Sequence, residues 1–227
     1  MLIARIGWLS LTLLAFSACA EGASSPDPAL NTRNPKLKVQ WVKPDTKLAP
    51  FDKIVLAPTE LQFRPVAPLV GTSGTYMRNR DEFPVPDNAR ADIAKIFDKA
   101  FSDRIGKNKH IKLTDQPGPG VLVVKTSLQD IVSRVPPEEI AGRYDAYLDT
   151  VADATLVVDF VDPTSGQTLG SAVDRRTAAP VGTMAGGFGA VHSDRVSTNQ
   201  EVRQLANRWA NSLDKRLEQL YFEAKPK

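Results

Sequence analysis

The sequence predicts an α+β fold: a mainly antiparallel sheet with two helices packed on one face, a two-layer sandwich. Three observations lead there. Ala152, Ala154, Leu156, Val158 and Phe160 recur at every second residue, with Asp153, Thr155 and Asp159 among the residues between them. One face of such a strand is buried and the other wet, as in antiparallel sheets. Two other segments repeat at three- and four-residue spacing: Ile93, Ile96, Phe97, Ala100, Phe101 and Ile105, then Val202, Leu205, Ala206, Trp209, Leu213, Leu217 and Leu220. These are helical stripes. The order strand–helix–strands–helix, with one apolar face each, is solved by laying both helices on one side of the sheet.

Composition bounds the rest. At 227 residues, 42% hydrophobic and 24% charged, the chain is globular and long enough for one domain. One cysteine and two histidines exclude an intrachain disulfide and a Cys/His zinc site. No cofactor and no metal are expected. The 29 basic against 26 acidic side chains leave a net +3, too small and too dispersed for a nucleic-acid partner.

The elements follow in order. Residues 1–18 read as a signal peptide: Arg5 is the only charged side chain before Glu21, Ile6 to Phe16 is largely apolar, and small residues follow. The apolar run is shorter than the roughly 20 residues needed to span a bilayer. Phe16-Ser17-Ala18-Cys19 resembles a bacterial lipobox, with Phe16 where Leu is usual. The resemblance implies that Cys19 becomes the acylated amino terminus of the mature chain, a palmitate-bearing diacylglycerol cysteine. An unpaired thiol in an exported chain is thereby explained. Ala20, which is not Asp, then implies the periplasmic face of the outer membrane in a Gram-negative cell. Two or more acyl chains give stable anchoring where one is marginal.

Residues 19–50 hold five prolines and few large apolar residues. They read as a lipid-anchored flexible tether, with Trp41 and Val42 docking as a peripheral first segment. A single α+β domain is expected over 51–222, and a disordered tail over 223–227. Within the domain, Lys53 to Ala57 and Glu60 to Arg64 read as strands. Arg64 to Pro86 is a long connection, of a length that is usually functional or disordered. Asp87 opens the first helix, which ends near Arg104 with Gly106 at the cap position. His110 to Leu113 alternates briefly, and Gln116-Pro117-Gly118-Pro119-Gly120 stops it. Val121 to Val135 is a long strand. Asp162-Pro163-Thr164-Ser165-Gly166 makes a turn from the alternating strand into its hairpin partner, Thr168 to Arg176. Residues 177–196 read as loop, and Thr198 with Glu201 fits a capping box at the start of the last helix.

Three stretches together resemble the bacterial lipoproteins grouped as domain-of-unknown-function family 3313 (DUF3313). They are Asp115 to Val124; the hairpin Asp162 to Leu169 running into Ala172 to Arg176; and Trp209 with Leu213, Arg216 and Leu217. The resemblance covers roughly 51–222 and implies location and fold. That family has no established activity, so no catalytic residue is implied.

Candidate chemistry is sparse. Ser212-Leu213-Asp214-Lys215 matches the Ser-x-x-Lys pattern, yet lies on an amphipathic helix with no companion motif. Met184 to Gly189 is glycine-rich but lacks a phosphate loop's Gly-Lys ending. His110 and His192 stand apart. Tyr144-Asp145-Ala146-Tyr147-Leu148-Asp149 interleaves carboxylates with rings, a pattern fit for acid–base work or glycan stacking. Arg175 and Arg176 alternate across a strand, so at most one faces inward, with Asp159 or Asp174 as partner. Tyr76, Met77 and Phe83 in the long connection, with Tyr144 and Tyr147, are the candidate partner-binding side chains, since aromatic and methionine residues anchor interfaces.

The expectation is a non-enzymatic outer-membrane lipoprotein of unknown biochemical activity, a binding or scaffold module for a protein or cell-wall partner in the envelope. The alternatives are an envelope-polymer hydrolase using loop carboxylates, and an oligomeric component of a secretion or envelope assembly.

Overall fold

The computed structural model describes residues 37–42, 47–66, 82–85, 87–136, 147–148, 150–178, 191–192 and 195–225. Nine strands and two helices are formed there: β1 (Lys38–Trp41), β2 (Lys53–Leu56), β3 (Glu60–Phe63), α1 (Asp87–Ile105), β4 (Lys112–Leu113), β5 (Val121–Ser133), β6 (Tyr147–Leu148), β7 (Ala152–Val161), β8 (Thr168–Ala178), β9 (Val191–His192) and α2 (Arg195–Ala224). Seven strands make one sheet in the order β1-β8-β7-β5-β2-β4, with β3 also on β5.

The two predicted helices are present, and the fold is α+β. The sheet, however, is mixed rather than mainly antiparallel. β1, β8, β7 and β5 pair antiparallel, whereas β2 and β3 run parallel to β5, and β4 parallel to β2. The cause is α1. A helix between β3 and the next strands carries the chain back to its starting end, and the returning strand then lies parallel.

β2 and β3 follow one another along the same edge of β5, opposite Val121–Val124 and then Ser127–Ile131. Between them the ladder breaks at Ala57-Pro58-Thr59. Ala57 N still donates to Val124 O at 3.0 Å, but Pro58 has no N–H to offer. Thr59 N donates instead to Asp98 Oδ1 of α1 at 2.8 Å, and the Thr59 and Thr126 hydroxyls bond each other at 3.0 Å beneath the break. A buried polar pair is kept because both groups are satisfied.

The core lies between sheet and helices. Leu122, Val124 and Leu128 of β5, Ala154, Leu156, Val158 and Phe160 of β7, and Ala172 of β8 face Phe97, Phe101, Ile105, Leu205, Trp209, Leu213 and Leu217. Trp209 is fully buried; its ring is 5.8 Å from Phe97 and its Nε1 donates to Asp174 Oδ2 at 3.0 Å. The helices run parallel. Phe97 meets Trp209, further along Arg104 Nε and Asn108 Nδ2 hold the Asp214 carboxylate at 2.8 and 2.6 Å, and His110 then stacks on Tyr221. Between β7 and β8 the Asp162 turn forms as expected: its carboxylate accepts Thr164 N and Ser165 N, and Gly166, at φ +68°, donates N–H to Asp162 O at 2.9 Å.

Four other details depart from the sequence reading. The expected tether contains a real strand: β1 pairs with the outer edge of β8, and Leu37 beside it is buried in the core. Tyr147–Leu148 pairs with Val191–His192 inside segments read as loop. α2 begins at Arg195, before the predicted capping box, and Thr198 Oγ1 has no hydrogen-bond partner, so the box does not form. It also continues to Ala224, two residues past the expected limit of the domain.

Candidate binding face

The side of the sheet away from the helices carries alternating polar residues. Lys125, Asp159 and Ser171 stand in one row across β5, β7 and β8; Gln129, Thr155 and Arg175 stand in another. The Ser171 hydroxyl donates to the Asp159 carboxylate, and Thr177 Oγ1 donates to Asp153 Oδ1 at 2.7 Å. The charges concentrate at the end where β5 finishes.

That concentration is organised by Asp130. The β5–β7 register shifts between Gln129 and Val132, and Asp130 takes φ +53°, the one non-glycine residue with positive φ among the described residues. Aspartate is among the few side chains that tolerate the left-handed region. The bulge turns its carboxylate toward two guanidiniums. Arg64 grips it with a two-pronged fork, Nε to Oδ1 at 2.7 Å and Nη2 to Oδ2 at 2.6 Å, while Arg175 Nη1 reaches Oδ2 at 2.6 Å. Bidentate pairs of this kind are the strong ones. Hydrogen bonds from Arg64, reinforced by Arg175, lower the Asp130 pKa to about 2 against the opposing effect of burial, and the same pairing raises that of Arg64.

The network extends outward. Arg64 Nη1 also donates to Glu82, and Arg134 Nη2 lies 3.1 Å from Asp153 and 3.7 Å from Glu82. Arg175 spends only one of its nitrogens within the cluster. The remaining donors suit a planar carboxylate, a phosphate or clustered hydroxyls. Asp130, held ionised, cannot deliver a proton at neutral pH as a general acid must.

The residues singled out from sequence fare differently. Arg176 faces inward with its Nε 2.7 Å from Asp174, whose pKa burial raises, and Arg175 faces outward. Asp130, not Asp159, is its partner. Ser212 accepts from Arg176 Nη2 and donates to the Arg208 carbonyl, and Lys215 is exposed and makes no bond to it, so Ser-x-x-Lys does not assemble. Phe83 is not an exposed anchor. It is 2% exposed and its N–H donates to Ser133 O at 2.9 Å, because folding the ring onto the sheet end removes apolar area from water. Tyr147 is placed by its backbone opposite His192. Phe16, Ser17, Ala18, Cys19, Tyr76, Met77, Tyr144, Asp145, Asp149 and the glycine-rich stretch lie outside the described residues.

The sequence reading did not single out Arg64, Glu82, Asp130, Arg134 and Asp153 as site residues. They come from separate segments, and the one local signal was an aspartate in the middle of a strand, where its type is disfavoured. A cleft of ≈ 290 Å³ also opens at the Pro58 break, lined by Thr59, Asp98, Lys99, Phe101 and Thr126. Its polar groups are engaged: Asp98 accepts Thr59 N, the two threonines bond each other, and Lys99 Nζ pairs with Asp103 at 2.9 Å. Among the described residues no group of three or more His, Cys, Asp or Glu is placed to hold a metal, and no helix is long and apolar enough to cross a membrane.

Fold and face together define a two-layer α+β module with a charged sheet surface on the side away from α1 and α2. The chain belongs to the family described as protein of unknown function DUF3313, whose model matches residues 27–213. No curated protein matches it. Among solved structures it is similar to a homolog of neuraminyllactose-binding hemagglutinin from Helicobacter pylori, at 12% identity and TM-score 0.41, covering 79% of this chain and 93% of that one. It is also similar to the PelC dodecamer subunit of Paraburkholderia phytofirmans, at 12% identity and TM-score 0.32, covering 75% and 96%. A DUF330 protein of Xanthomonas campestris gives 7% identity and TM-score 0.35, covering 81% and 96%. At these scores the binding and assembly of each remain its own.

Proposed function

We propose that this chain is a non-enzymatic binding module of the cell envelope, lipid-anchored through Cys19, which holds a carboxylate-bearing cell-wall or protein segment on the sheet face away from α1 and α2. The observation that carries the reading is Arg175, fixed on one side by Asp130 with its other donors uncommitted among the described residues. Pairing to a buttressed carboxylate freezes a long side chain before any ligand arrives, which lowers the ordering cost of binding. The lipobox resemblance supports the location, and the DUF3313 membership is consistent with it.

Co-sedimentation with isolated cell-wall sacculi, together with crosslinking in intact cells, tests it. Wild type is expected to pellet with the wall or to give one dominant crosslinked species. Arg175→Gln is expected to weaken either by about tenfold, the scale of one charge-assisted hydrogen bond. Equal retention of wild type and Arg175→Gln in both assays disproves the role of this face. A hydrolytic product released from the wall by wild type favours the hydrolase alternative.

A further inference from the structure

We propose that the end of the sandwich where both helices stop is a membrane-contacting surface that takes anionic phospholipid headgroups. Among the described residues three large hydrophobic side chains are exposed, Val42 at 60%, Leu113 at 37% and Phe222 at 53%. The register puts all three at one end. β1 runs down β8 from Val173 to Gly170, and Val42 N then donates to Leu169 O. Leu113 is level with Ile54 and so with Leu122, at the start of β5. Phe222 lies in the closing turns of α2, its ring 5.1 Å from His110. Scattered exposed apolar residues need no explanation; their gathering on a single rim does.

Lysines surround them. Lys53 and Lys112 are paired in register at this end, and Lys107 and Lys109 follow α1 directly. None of these four makes an ion pair among the described residues. Lys225 Nζ sits 4.4 Å over the Tyr221 ring. Of the carboxylates nearby, Asp162 is engaged in its turn, Glu218 lies 3.7 Å from His110 and Glu223 3.8 Å from Arg216, leaving Asp52 and Asp115. Aromatic and apolar tips among lysine stems are the composition that settles at a charged bilayer surface.

The chain length agrees with that occupant. Residues 20–36 separate Cys19 from Leu37, and they reach at most about 60 Å. Lys38 is level with Ser127 through Val173 and Val157, so the drop to Val121 is about 20 Å at one strand residue per ~3.3 Å. An acylated Cys19 therefore reaches the plane of this end. The inference rests on the anchored reading for its geometry; its charge and apolar content stand apart from it.

The mature chain recovered from cells, carrying Phe222→Cys and reconstituted into phosphatidylglycerol-containing vesicles, provides the test through a nitroxide label. One label per chain means that Cys19 is blocked, and two mean that it is free, so failure of the anchor is read before docking is measured. The label at 222 is expected to be about tenfold less accessible to a water-soluble nickel relaxant than one at Ala91→Cys, near the start of α1 at the opposite end. Lys107→Gln/Lys109→Gln/Lys112→Gln is expected to shift the docked ratio by about two orders of magnitude. All four lysine and phenylalanine positions are outside the core, and an unchanged circular dichroism spectrum confirms folding. Equal accessibility at 222 and 91, or protection that persists in pure phosphatidylcholine or in the triple variant, overturns the proposal. So does protection that requires a co-recovered protein and no lipid.

Discussion

Asp130 shows how a residue of poor strand propensity becomes the pivot of a surface. Its left-handed backbone bends β5, and the bend delivers its carboxylate to Arg64 and Arg175. Asn tolerates the same backbone without the charge, so Asp130→Asn isolates the ion pairs. Its folded pKa, about 2, lies below the ordinary 3.8; the unfolded chain therefore binds the proton more tightly. The stabilisation is complete above about pH 4 and disappears as pH falls through 2. Because the side chain is 37% exposed, solvent screening reduces its value to about 1 kcal/mol. Urea titrations are expected to show Asp130→Asn weaker by that amount at pH 7, the difference shrinking as the pH falls through 2. A constant difference across that range contradicts the pairing. At this scale the sequence revealed that only one of Arg175 and Arg176 turns inward, since strand alternation is local. It could not reveal that Arg175 meets Asp130, because the bulge that aims the carboxylate has no periodic signature.

Among the elements, the broken edge partner of β5 is the instructive one. Two four-residue strands flank Pro58, and α1 closes the gap with Asp98 while Thr59 and Thr126 satisfy each other below it. Thr59→Val or Thr126→Val alone leaves one hydroxyl buried without a partner and is expected to cost about 1–2 kcal/mol. The double substitution restores a matched apolar pair, so the losses are expected to be clearly less than additive in a thermal or denaturant cycle. Strict additivity rules out the hydroxyl pair. Both short strands and both helices were legible from period and punctuation. The direction of the strands was not, because apolar alternation records which face is buried and says nothing about whether a neighbour arrives by a hairpin or across a helix. β1 escaped for another reason: four residues are too few to show a period, and the pairing that makes them a strand lies with distant β8.

For the whole molecule, the sequence yielded two layers, and the structure adds polarity. Charged donors gather where β5 ends, and lysines with exposed apolar tips gather where the helices end. The anchor itself is tested at Cys19. Cys19→Ser is expected to abolish palmitate incorporation and to release the protein from the membrane fraction into the soluble envelope contents, as loss of several acyl chains removes stable attachment. Retention and labelling equal to wild type refute the lipobox reading. The charged face was invisible beforehand as a site, since its members are spread from Arg64 and Glu82 to Arg175 and become neighbours only through the crossover and the bulge.

The outermost strand carries a consequence for biogenesis. Lys38 finds its place beside Val173, 135 positions later in the chain, so the first strand has nothing to zip onto until three quarters of the polypeptide has emerged. Until β8 is made β1 has no ladder to join, and it is drawn tight only once the later strands have met, like a drawstring pulled after the bag is filled.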